Sequence, residues 1–205
     1  EKIRTTAEGC KKDIKRDYYR VSSEAAYAAG NYAAASDRAE KAYNEDENEA
    51  DRTQDGIMNA KALTALNRTD ESGGVLDGIK KTLGENNDLY IKFAAECYCL
   101  SGVNRFMKND FEAADKDFAK GLEEAKAREN LPVAEYTNYL KTAAKTAENV
   151  SDFVKAVEYL SECALIIRRD EGEGKDFADI LYKAAGLYCA QQRYDDAVTM
   201  YDKAA

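Results

Sequence analysis

The sequence predicts an all-α protein, a right-handed α-solenoid of about five antiparallel helix pairs, and three observations carry that expectation. The apolar share of 44% is dominated by Ala and Tyr, with one Pro, no Trp and 34% charged residues, a bias toward helix over strand. A bulky residue is followed by small or apolar residues at +3, +7 and +10 in four separate places, and these offsets share one face of a 3.6-residue helix. The places recur with a period of about 40 residues, the mark of a stacked repeat.

The copies, in chain order, start at Tyr32 (with Ala35, Ala39, Ala42), Phe111 (Ala114, Phe118, Gly121), Phe153 (Ala156, Leu160, Cys163) and Tyr194 (Ala197, Tyr201, Ala204). The intervals between these anchors are 79, 42 and 41 residues, so one degenerate copy is expected inside the first. "GVLDGIKKTL" at 74–83 fits it loosely, with Val75 as anchor and Gly78 in the small position. Turn formers precede each anchor: Gly30-Asn31, Asn109-Asp110, Ser151-Asp152 and Gln192-Arg193, the first three reading as helix caps. Each anchor therefore opens the second helix of a pair. Its aromatic is expected to be largely buried, beside small residues that let a neighbouring helix approach.

First helices are expected upstream, in "SSEAAYAA" (22–29), "IKFAAECYCLSGVNRFM" (91–107), "NYLKTAAKTA" (138–147) and "DILYKAAGLYCA" (179–190). "NEDENEAD" at 44–51 joins two elements and lacks the ligand spacing of a calcium loop. Pro132 suits a helix start. "RRDEGEGKD" at 168–176 reads as the longest break, a linker and not a phosphate-binding loop. One pair cannot bury its own apolar face, so successive pairs must stack, giving a single domain over 1–205. The missing initial Met and the end directly after a repeat fit a piece of a longer chain.

Composition narrows the function. A net charge of −9 disfavours a phosphate-backbone binder, so no nucleic acid partner is expected. No run approaches the roughly 18 apolar residues of a membrane span. Five cysteines at irregular spacings (Cys10, Cys97, Cys99, Cys163, Cys189) read as reduced packing residues of a cytoplasmic protein. Without His no metal site is expected, and Cys97 and Cys99 point apart on a helix. The basic stripe Lys11, Lys12, Lys15, Arg16 and Arg20 is a solvated helix face, with an acidic partner or an anionic lipid surface as alternatives. With no general base and no nucleophile motif, catalysis and cofactors are not expected.

The register of aromatic, x, x, Ala, with a large residue at +7 and a small one at +10, resembles the second helix of tetratricopeptide repeats. "NDFEAADKDFAKGL" (109–122) and "QRYDDAVTMYDKAA" (192–205) match best, although the period exceeds that family's 34 residues. Among long-period relatives, the stretch from Ala144 to Ala205 and the spacing of 94–125 are similar to the soluble NSF attachment proteins, over about half the chain. That resemblance implies an adaptor whose concave, partly basic face grips a helical bundle of membrane-fusion proteins and recruits an ATPase.

Tetratricopeptide-like geometry puts the first helices on the groove. Counting back from the anchors, Arg20, Glu24, Cys99, Phe106, Lys141, Lys145 and Tyr182 are the candidate lining residues, of which Arg20, Phe106, Lys141, Lys145 and Tyr182 are the partner-binding set. Lys141 and Lys145, one turn apart, suit an acidic helical segment or bundle. A non-catalytic interaction scaffold is the leading expectation. A structural subunit of a larger assembly and a helical-repeat enzyme or small-ligand binder are the alternatives.

Overall fold

The computed structural model describes residues 2–204, with side chains from residue 11 onward. The predicted packing role of Cys10 falls outside the described side chains. Ten helices follow one another: α1 (Lys2–Ala28), α2 (Tyr32–Glu45), α3 (Glu49–Ala65), α4 (Thr69–Glu85), α5 (Asn87–Met107), α6 (Phe111–Arg128), α7 (Val133–Asn149), α8 (Phe153–Glu171), α9 (Lys175–Ala190) and α10 (Tyr194–Ala204). They form five antiparallel pairs in a right-handed solenoid, and all four predicted anchors are the first residues of second helices.

One turn joins the helices of every pair. The residue two positions before the second helix adopts positive φ in all five: Gly30 (75°), Asn67 (60°), Asn109 (61°), Ser151 (62°) and Gln192 (60°). Each time its N–H reaches back three residues and the next N–H reaches back five, as in Gly30 N to Tyr27 O at 2.9 Å and Asn31 N to Ala26 O at 2.8 Å. This is the Schellman arrangement, which satisfies the last carbonyls of the first helix and reverses the chain. Asn31 and Asp152 then cap the second helix through their side chains, accepting from Ala34 N and Lys155 N. Asp110 makes no such bond.

The shared turn places the degenerate copy. Its anchor is Thr69, not Val75, and its register runs through Ser72, Leu76 and Ile79, all buried, whereas Gly78 is exposed. The polar anchor hid the copy from an aromatic search. The predicted break at 168–176 is also shorter: α8 continues to Glu171, leaving 172–174 between helices.

Burial follows the small positions and not the anchors. Ala35, Ala114, Ala156 and Ala197 are buried, while Tyr32, Phe111 and Phe153 are half-buried and Tyr194 is 63% exposed. The first turn of each second helix sits at the rim of the stack, which leaves its aromatic one open side. Phe118, at +7, is the ring that is completely buried. It fits because Gly102 faces it, where an added Cβ would come within 2.9 Å of the ring. Gly121 lies equally close to α5: a Cβ there would stand 2.6 Å from Cys99 Sγ and 2.7 Å from Cys99 N.

Candidate functional site

The first helices α1, α3 and α5 each touch their counterpart in the next pair, and among the described residues no second helix touches another second helix. The stack therefore curls toward its first helices, and these form the inner face. Helix α9 touches only α8 and α10, so the inner row is continuous over four pairs.

Four of those helices converge on one charged group. Lys61 on α3 donates from Nζ to both carboxylate oxygens of Glu135 on α7, each at 3.0 Å, and also pairs with Glu96 on α5. Burial pushes the Glu96 carboxyl above the usual range against the pull of Lys61. Burial alone lowers the Lys61 ammonium, and the two carboxylates more than reverse it, so Lys61 is held charged. Tyr27 on α1 and Tyr139 on α7 share this field: burial raises both phenols, with Glu96 and Glu135 adding to the shift in each.

The predicted lining residues fall into separate places. Lys141 is half-buried and Lys145 exposed on α7, and neither makes an ion pair among the described residues. Both share the helix of Glu135. Glu24 is exposed on α1. Phe106 is half-buried, its ring edge-on to Phe111 at 5.6 Å. Tyr182, 59% exposed, meets Tyr201 edge-on at 5.0 Å, on the helix outside the inner row. Cys99 is a correction: it occupies the groove register but is buried against Gly121, because the close α5–α6 contact covers it.

Arg20 is engaged within the chain. It donates to Asp55 from Nε at 2.9 Å and from Nη2 at 3.0 Å, pairs with Asp46, and lies 3.7 Å from Asp51. Lys12 pairs with Glu47 at 2.6 Å, Lys15 with Glu45 at 2.5 Å, and Arg16 reaches Asp46 at 3.7 Å. The basic stripe of α1 and the acidic joint at 44–51 are thus each other's partners, two features the sequence presents separately.

Lys61, Glu96, Glu135, Tyr27 and Tyr139 were not foreseen. Lys61 stands eight residues before Thr69, the register that Lys145 and Glu24 occupy before their own anchors. Anchoring the second copy on Val75 shifted this register by six and removed α3 from the groove. The remaining thiols are packing groups: burial pushes Cys97 up to about 12 and Cys163 up to about 11. Among the described residues no cluster of His, Cys, Asp or Glu could hold a metal ion, and no helix is long and apolar enough to cross a membrane.

The fold is that of tetratricopeptide-like helical-repeat proteins. A Rap protein complexed with Competence and Sporulation Factor superposes with a TM-score of 0.68 at 18% identity, covering 93% of this chain and 53% of that one. BtubC (BKLC) from P. vanneervenii gives 0.73 at 15% identity, covering 92% and 77%. A MamA protein gives 0.65 at 17% identity, covering 93% and 90%. The chain spans about half the length of the Rap protein. No protein-family model and no curated protein matches the sequence.

Proposed function

We propose that this chain is a non-catalytic adaptor that holds a protein segment on the inner face of its first helices. The observation that supports this reading is the continuous row α1, α3, α5 and α7, whose last helix carries Lys141 and Lys145, neither in an ion pair among the described residues. A stacked array supplies such a surface without further elements. The Rap neighbour, a complex with Competence and Sporulation Factor, supports a protein partner for a fold of this kind. An acidic helical segment is the occupant that the two lysines suit, and a helical bundle gripped by an attachment-protein-type adaptor is its sharpest form. A cytoplasmic location accords with the buried thiols.

The test is capture of a partner by the parent protein and by Lys141→Glu/Lys145→Glu. Capture weakened by the double variant, with a shallower salt dependence, is expected; equal capture and equal salt dependence would remove these lysines from the site.

A second reading, a structural subunit, draws on the exposed Tyr182, Tyr194 and Val198 of the last pair. It is favoured if burial of this pair in an assembly, and not the groove, carries association.

A further inference from the structure

The two ends of the described stack expose the faces that interior pairs bury against each other. Resting on the structural-subunit reading above, we propose that the partner covering them is a second copy of this chain. The last pair of one molecule takes α1 of the next, and the solenoid continues head to tail.

The contact between successive pairs is already built four times within the chain, since each second helix packs on the following first helix: α2 on α3, α4 on α5, α6 on α7 and α8 on α9. On the first-helix side this contact uses the positions 14 and 7 residues before the second helix of the same pair. Asp55 and Ala62 hold them on α3, and these and their equivalents on α5, α7 and α9 are all buried. They look toward the preceding pair. Asp55 takes Arg20 of α1, Ala62 packs with Ala26 and Ala35, and Cys97 Sγ of α5 lies 3.8 Å from Leu76 O of α4. On α1 the same two positions are Tyr18, 62% exposed, and Ala25, also exposed. Exposed Ile14 and Val21 complete an apolar strip at i, i+4, i+7 and i+11 along one side of the helix.

The second-helix half of the contact is open at the other end. The residue seven positions into the register is buried in α2, α4, α6 and α8, yet Tyr201 of α10 is only half-buried. At +4, where the Ser36 hydroxyl of α2 donates to Asn59 Oδ1 of α3 at 2.7 Å, Val157 of α8 is buried and Val198 of α10 is 56% exposed. Tyr182 stands twelve residues before its second helix, the position from which Arg20 reaches the next pair, and is likewise exposed. With Tyr194 it completes an apolar face on the last pair.

A second copy suits these faces because each is one half of an interface the chain already forms with itself. Helix direction alternates along the stack, so continuation sets α1 antiparallel to α10 and brings exposed Asp202 toward exposed Lys11, charges of opposite sign. Such a contact is heterologous, joining different surfaces, and so it extends to open rows of molecules instead of closing as a symmetric dimer.

Sedimentation velocity of the full chain from micromolar to millimolar concentration tests this, with two variants at exposed positions: Tyr18→Glu/Ala25→Glu, blocked at α1, and Tyr194→Glu/Val198→Glu, blocked at α10. The parent is expected to grow through dimer to longer species as concentration rises. Each variant alone, with circular dichroism and thermal unfolding like the parent's, needs about tenfold or more protein for half-association, because a charge is set against an apolar face. An equimolar mixture of the two forms a one-to-one complex and nothing larger, since one open α10 face meets one open α1 face.

A parent that stays monomeric over the whole range would overturn the proposal. So would a dimer of the α10-blocked variant alone, which means α1 pairs with α1, or of the α1-blocked variant alone, which means α10 pairs with α10. A monomeric parent that needs Tyr194 and Val198 to join a different protein would sink self-stacking and leave the structural-subunit reading standing. The groove reading is tested separately, through Lys141 and Lys145.

Discussion

Arg20 on α1 grips the Asp55 carboxylate of α3 with two hydrogen bonds, 2.9 Å from Nε and 3.0 Å from Nη2, and thereby ties the first pair to the second. The same guanidinium pairs with Asp46, which Arg16 also reaches at 3.7 Å. Arg20→Ala leaves Asp55 without its countercharge and should cost about 3–5 kcal/mol, the usual penalty of breaking a buried pair from one side. Urea unfolding measures it. A loss under about 1 kcal/mol would show that the latch contributes little.

Helix spacing is tested by two glycines. Gly121→Ala forces a methyl to 2.6 Å from Cys99 Sγ and 2.7 Å from a backbone nitrogen, so α5 and α6 must separate; the expected cost is about 1–3 kcal/mol or more. Gly78→Ala, on an exposed helical position with nothing within 4 Å, should stabilise by up to about 1 kcal/mol. Paired denaturation curves shifting in the same direction would contradict the assignment.

Rings at the rim and in the core should differ. Phe118→Ala empties a fully buried site and should cost about 3–5 kcal/mol. Phe111→Ala removes a half-buried ring packed on Phe106 and should cost clearly less. Equal losses would restore the anchor to the core role that its register suggests.

Those two rings show what was legible in the sequence. Helix pairs, their number and the second-helix starts follow from a repeated register, because packing two helices at close range imposes small residues at fixed offsets. Depth of burial does not follow: Tyr194 and Phe118 belong to the same periodic pattern, yet one is mostly in solvent. What separates them is the end of the helix and the neighbour above it. The second copy escapes an aromatic register because Thr69 and Ser72 hold, with polar side chains, the places that an aromatic and Ala hold elsewhere. Ser72 and Thr64 instead join Asn104 in a buried hydrogen-bonded group, with contacts of 2.8–2.9 Å. The Lys61 site needed that copy in place, and its contact with Glu135 spans 74 positions, a separation no local pattern encodes.

Acid should stabilise before it destabilises. Burial raises the carboxyls of Asp55, Glu96 and Asp117 above their ordinary values, so the folded chain binds protons more tightly than the unfolded one. Stability therefore rises as pH falls from above these raised values toward the ordinary carboxylate value of about 4. Below it the trend reverses, because Lys15 and Lys12 hold Glu45 and Glu47 below the usual range and that contribution disappears on protonation. Urea midpoints at successive pH values read the sign; a steady decline from neutral pH would oppose it.

The winding that lets Lys61 of α3 reach Glu135 of α7 is the premise of the inner face, and a short bis-maleimide applied to Lys61→Cys/Glu135→Cys tests it on the free protein. Rapid bridging within one chain is expected, with little for a control pair of Lys61→Cys and an exposed second-helix position such as Glu40→Cys. Bridging no faster than in the control would mean that positions 61 and 135 do not face each other, and that the groove described here does not exist.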